Sequence, residues 1–179
     1  MNRRTLFKGL APALALSGPS VLYAEVFLTV EQAKSVLFPG EKLTSVPVTL
    51  TSEQKKAIAR ASDVRVREDK VNAFRASSGG WLILDNVIGK HEFIEFALAL
   101  KADGSVKGVE VMTYRETYGH EVRNPKWRAQ FTGRTAAQTV KIDADIKNIS
   151  GATLSCVHLT DGVRRLLHTW ALVLKEPHS

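Results

Sequence analysis

The stretch from Val71 to Tyr114 constrains this chain more than any other. Apolar and polar residues alternate with a period of two through VNAFRA, WLILDNVI, FIEFALAL and VKGVEVMTY, and the breaks include SSGG and KADGS. Successive side chains of a strand point to opposite faces, so such alternation marks strands with one face in a core. Gly79-Gly80 and Asp103-Gly104 supply the positive φ that tight hairpins need. The reading is an antiparallel β-meander in which Ile94, Phe96, Leu98 and Leu100 line one core face.

Helical signals flank the meander. LTVEQAKSVLFPG and LTSEQKKAIARAS each pair a threonine with a glutamine three residues on, Thr29 with Gln32 and Thr51 with Gln54, which is capping-box spacing. Shared start chemistry explains their likeness better than an internal repeat. Pro39-Gly40 ends the first. After the meander, RETYGHEVRN reads as a loop, and Asn124-Pro125 sets up a short helix over PKWRAQF, with Asn at the cap and Pro at the first helical position. TGRTAAQTVKIDADIKN reads as extended or irregular. The final segment places Leu159, Val163, Leu166, Leu167, Trp170, Ala171 and Leu174 on one apolar stripe of a long helix. The fold class is α+β: an antiparallel meander packed with helices, closed by an amphipathic C-terminal helix.

Residues 1–24, MNRRTLFKGLAPALALSGPSVLYA, combine a basic start, a short apolar stretch and a small residue, Ala24, suited to cleavage. Pro12, Gly18 and Pro19 interrupt the apolar part, which falls short of the roughly 20 residues that span a bilayer. The segment reads as an export signal, with an uncleaved anchor as the alternative, and Arg3-Arg4-Thr5-Leu6-Phe7-Lys8 resembles the twin-arginine type. Residues 25–179 then form a single domain, a length that fits one core.

The formal net charge of +7 includes Arg3, Arg4 and Lys8 of that leader, so the remainder is mildly basic. Its Lys and Arg residues are interleaved with acids, and no Arg-rich run with aromatics builds a nucleic-acid surface. Nucleic acid is not an expected partner. Cys156 is the sole cysteine, which leaves no intramolecular disulfide and no cysteine-based metal site.

The chemistry concentrates at ISGATLSC, residues Ile149 to Cys156, where the last helix begins. A helix N-terminus presents unpaired N–H groups and about half a positive charge, which suits an anion such as phosphate. Gly151 and Ala152 leave room for a bulky ligand, and Ser150, Thr153 and Ser155 offer hydroxyls. The alternative from the residues alone is that Ser150 or Thr153 simply caps the helix.

This stretch resembles the flavin-attachment motif of the FMN-binding domain family. Members of that family include periplasmic subunits of the sodium-pumping NADH:quinone oxidoreductase and of ferredoxin:NAD oxidoreductase complexes. The resemblance implies FMN joined by a phosphoester to Thr153, placed there by a flavin transferase, with Ser150, Gly151, Ala152 and Ser155 around it. The motif's acid is replaced by Lys147, with Asp145 two residues earlier. The segment EVMTYRETYGHEVRNPKWRAQFTG is similar to the family's Glu-Thr-Pro-Gly loop and the helix after it. Glu116, Thr117, Gly119, Trp127 and Phe131 stand at matching places, and Tyr118 replaces the proline.

The implied role of Glu116, Thr117, Tyr118, Gly119 and His120 is a wall and hydrogen-bond edge for the flavin ring. Tyr118 has the reach to stack on it, and His120 reads equally as a solvated loop residue or a proton donor. Trp127 and Phe131, at i and i+4, read as core. GKHE, Gly89 to Glu92, reads as ordinary strand-flanking polarity. Arg115, Arg123 and Arg128 lie in or beside the loop and, if free, would favour an anionic ring. The implied function is an exported, periplasmic electron carrier working with a membrane-bound redox protein. A free-standing flavin-dependent reductase and a non-redox anion-binding module remain alternatives.

Overall fold

The computed structural model describes residues 25–116 and 118–175. The export-signal reading on residues 1–24 and the site candidate Thr117 lie outside the described residues. Six strands form one antiparallel sheet in the order β1-β6-β5-β4-β3-β2. They are β1 (Glu25–Val26), β2 (Leu43–Thr49), β3 (Lys70–Ala76), β4 (Trp81–Ile88), β5 (Phe93–Leu100) and β6 (Val106–Tyr114). The last four are the expected meander. β2 is an addition that the sequence reading missed, because LTSVPVT holds a proline. Pro47 lacks an N–H for a ladder, and the structure places β2 at the sheet edge, where that lack is tolerated.

Both faces of the sheet are covered. Ile94, Phe96, Leu98 and Leu100 face the large core, as expected, together with the stripe of α4 (Thr153–Thr169). Ala97 and Ala99 face the other way, into a smaller core under α1 (Val30–Leu37) that includes Ala33, Leu37 and Phe38. Alanines alternating with large residues on one strand let a helix approach closely on the side of the small ones. Both flanking helices carry their capping boxes: Thr29 with Gln32 on α1, and Thr51 with Gln54 on α2 (Ser52–Ser62).

PKWRAQF is shorter as a helix than expected. α3 covers only Pro125–Arg128, and a 3-10 turn continues it over Ala129–Phe131. Trp127 and Phe131 are core, packed edge to face with ring centroids 5.3 Å apart. The Trp127 indole N–H donates to the carbonyl of Lys147 at 2.7 Å. That bond, with the Lys147 amide donating to Gln130 Oε1 at 2.8 Å, pins the irregular 132–148 segment just before α4.

α4 buries Leu159, Val163, Leu166 and Leu167, and the chain widens to a π turn over Trp170–Leu174. Arg164 of α4 is buried. Its guanidinium donates to the carbonyls of Ser62 at 2.6 Å and Val140 at 2.9 Å, and to Asp161 at 2.8 Å. One side chain thus joins the end of α2, the irregular segment and α4. A buried cation is tolerated only with such partners.

Candidate functional site

The N-cap of α4 is Ala152, with no side-chain bond to the first turn. Neither Ser150 nor Thr153 caps the helix, so the open alternative of a simple hydroxyl cap is not realised. The first-turn N–H groups have no intrahelical acceptor in any α-helix and here gain none from a capping side chain. Gly151 has φ +88°, and a side chain at that position would meet nothing within 4 Å. Ser150 and Thr153 are exposed, and Ala152 is buried. The Thr153 hydroxyl accepts a bond from the Asn148 amide at 3.1 Å, so Asn148 is a neighbour the sequence reading missed.

Ser155 faces the other way. It is buried, and its hydroxyl lies 2.9 Å from that of Tyr114 at the end of β6. The Tyr114 hydroxyl also donates to the carbonyl of Tyr118. Burial pushes the Tyr114 phenol above its ordinary value, so it remains a neutral donor, although the bond with Ser155 pulls the other way. Gly119, with φ +93°, lies against this pair: an added Cβ would stand 2.5 Å from Ser155 Oγ and 2.6 Å from the Tyr114 hydroxyl. The loop and the helix start are therefore one assembly. Tyr118 is 81 % exposed and His120 is also exposed, opening a 3-10 turn over His120–Arg123.

Glu116 brings in a segment that the sequence reading treated as ordinary polarity. Its Oε1 accepts the backbone N–H groups of His91 and, at 2.8 Å, of Glu92, at the β4–β5 hairpin tip. Burial raises the Glu116 carboxyl, but the amides of Glu92, His91 and Lys90 outweigh it and hold the group below its ordinary value. On the opposite side His158 of α4 bonds through Nδ1 to the Gly89 carbonyl at 2.9 Å. GKHE is thus clasped between the loop and α4.

The three candidate arginines are engaged elsewhere. Arg115 pairs with Glu95 at 3.2 Å, Arg123 stacks on Phe27 with its guanidinium carbon 3.2 Å from the ring centroid, and Arg128 pairs with Glu110 at 2.5 Å. Asp145 pairs with Arg134 at 3.2 Å, while the Lys147 side chain is exposed. The backbone bonds of Lys147 hold the segment whatever side chain stands there.

Beside this assembly runs a cleft of about 700 Å3 between β4, the hairpin tip, α4 and residues 63–68. That is within the usual range of ligand pockets. His158, Asp161, Gly162 and Arg165 form its helical wall, and Asp85 and Arg165 pair in it at 2.8 Å. Burial pushes the Asp85 carboxyl above its ordinary value despite that arginine. Among the described residues no group of three or more His, Cys, Asp or Glu could hold a metal ion, and no helix is long and apolar enough to cross a membrane.

An open first turn, an exposed threonine and a loop locked to that turn suit a phosphate-bearing ligand. Residues 89–168 match the model of a family described as the FMN-binding domain. This segment is an FMN-binding domain. Its cofactor is FMN, and the protein is a flavoprotein. The matched residues of the FMN-binding domain begin at the hairpin tip and end in α4, so they include both the 116–120 loop and the ISGATLSC start. β1 to β4, α1 and α2 lie outside the match and complete the sheet around it. No curated protein matches the chain.

Proposed function

We propose that this FMN-binding domain is exported to the periplasm, carries its FMN through a phosphoester to Thr153, and passes electrons between a membrane redox protein and a second acceptor. The observation that carries the attachment is the exposed Thr153 hydroxyl on a first turn that no side chain caps. Backbone N–H groups and the positive end of the helix dipole there suit phosphate oxygens. Gly151 leaves the approach open, and Asn148 orients the threonine.

FMN, when bound, supplies the electron transfer, since a flavin takes electrons singly or in pairs. The residues supply position. Thr153 is the tether, Ser150, Gly151 and Ala152 shape the phosphate seat, and Ser155 joins the seat to the loop rather than contacting the cofactor. Glu116 and Gly119 set the loop's shape, and the exposed Tyr118 and His120 of that loop are available to form a wall for the flavin. The leader resembling a twin-arginine signal supports export. Attachment requires a flavin transferase, and Lys147, exposed just before the helix, stands where the motif carries an acid.

The test is the intact mass of the protein co-expressed with a flavin transferase. An increase of one FMN less one water is expected, and the unmodified mass would overturn the attachment. Turnover with soluble acceptors and no membrane partner would favour the free-standing reductase.

A further inference from the structure

The cleft lies on a different side of α4 from the tether. At about 100° per residue, Thr153 stands roughly a third of a turn around the helix from His158, Asp161 and Arg165, which line the cleft. Its volume of about 700 Å3 is therefore space that the flavin attachment does not use.

Most acids in the cleft wall are already matched. Asp85 pairs with Arg165 at 2.8 Å, Asp161 with Arg164 at 2.8 Å and Asp63 with Lys141 at 3.5 Å. Arg65, Arg67 and Lys90 line the same cleft, are exposed, and form no ion pair among the described residues. Glu68 is the lining acid without a pair among those residues, so three cations stand against one carboxylate. A concave wall with such an excess concentrates anions.

Arg165 adds a fixed donor. Its side chain is 12 % exposed, and its bonds to Asp85 and to the Asn86 carbonyl both run through Nη2. Nε and Nη1 have no protein acceptor among the described residues. Unused donors on a largely buried cation are costly, and an ionised oxygen is the acceptor that bonds them most strongly. Asp85 and Asp161 stand in the same wall and repel a second negative charge, which favours a monoanion over a phosphate dianion. Val64, Val87, Ile88 and the 44 % exposed Phe93 supply apolar surface for the rest of a ligand. Gly89 and Lys90 belong to the hairpin tip that Glu116 and His158 clasp, so this wall is held before any ligand arrives.

We propose that the cleft binds a small organic monoanion, a carboxylate on an apolar body, with the carboxylate at Arg165 and the body against Ile88 and Phe93. This site is separate from the flavin and does not rest on the attachment to Thr153.

The experiment titrates benzoate, benzamide, acetate and inorganic phosphate into isotope-labelled full-length protein, co-expressed with a flavin transferase and freed of unbound FMN. The backbone amide resonances of Gly89, Lys90 and Gly162 report the cleft, whether or not the flavin is attached. Benzoate should shift them saturably. Benzamide, which lacks the charge, and acetate, which lacks the body, should each bind about tenfold more weakly or less tightly still.

Arg165→Lys keeps a cation for Asp85, loses the planar fork and should weaken benzoate about tenfold. Because that change touches a buried pair, Arg65→Gln combined with Arg67→Gln is the second variant. Both of its positions are exposed, and it should weaken benzoate and flatten the dependence on salt. No saturable shift with benzoate, equal affinity for benzamide, tighter binding of phosphate than of benzoate, or benzoate affinity unaltered in both variants would each overturn the proposal.

Discussion

The hydroxyl of Tyr114 lies 2.9 Å from that of Ser155, and this contact joins the end of β6 to the first turn of α4. Both atoms are buried, so either partner left alone forfeits a bond it cannot replace with water. Tyr114→Phe and Ser155→Ala should each lower stability by about 1 kcal/mol. Tyr114→Phe also loses the bond to the Tyr118 carbonyl, so the double variant should cost little more than Tyr114→Phe alone, the Ser155 bond being counted once. Denaturant midpoints of the four proteins check this, and additive losses would separate the two residues.

Gly119 gives a harsher test of the same junction. Its φ of +93° already disfavours any side chain, and an added Cβ would overlap Ser155 Oγ and the Tyr114 hydroxyl. Gly119→Ala should cost roughly 1–3 kcal/mol from backbone strain alone. Its thermal midpoint should fall further than that of Tyr114→Phe, and an equal or smaller fall would mean the loop relaxes freely.

Three hydroxyls crowd the start of α4, and their exposure separates them. Thr153→Ala should abolish covalent flavin, Thr153→Ser should retain some, and Ser150→Ala and Ser155→Ala should keep it. Because the Ser150 hydroxyl caps nothing, Ser150→Ala should change stability by less than about 0.5 kcal/mol. Peptide mapping of the flavinylated proteins decides, and flavin on a peptide without Thr153 would move the tether.

Glu116 makes the hairpin clasp pH dependent. Its folded carboxyl is held below the ordinary glutamate value of about 4.3, so the bonds to His91 and Glu92 contribute fully above that value. They are lost as pH falls through the lower, folded value. Hydrogen-exchange protection of the His91 and Glu92 amides should therefore decline on the acid side, and Glu116→Gln should show weakened protection at neutral pH. Protection unchanged by either treatment would show that Glu116 does not hold the tip.

Export is tested at the leader. Arg3-Arg4→Lys-Lys should leave the precursor in the cytoplasm, detected by cell fractionation. Normal export of that variant would remove the twin-arginine reading and leave a general signal.

Local chemistry was legible in the chain by itself. The period-two runs and their glycine breaks specify the meander, threonine–glutamine pairs start α1 and α2, and the apolar stripe specifies which side of α4 is buried. ISGATLSC was legible as a site because small residues, hydroxyls and a helix start are all local in sequence. Assigning the hydroxyls was not, since only the fold turns Ser155 inward to Tyr114 and leaves Thr153 outward. Gly89–Glu92 carries no local mark of the site at all. It belongs there because Glu116 and His158, 24 and 69 residues from their partners, reach it across the fold. Arg115, Arg123 and Arg128 are the converse, near the loop in sequence yet drawn to Glu95, Phe27 and Glu110. A side chain's periodicity follows from the backbone it sits on, whereas its hydrogen-bond partner depends on which distant groups the packed sheet and helix bring within about 3 Å.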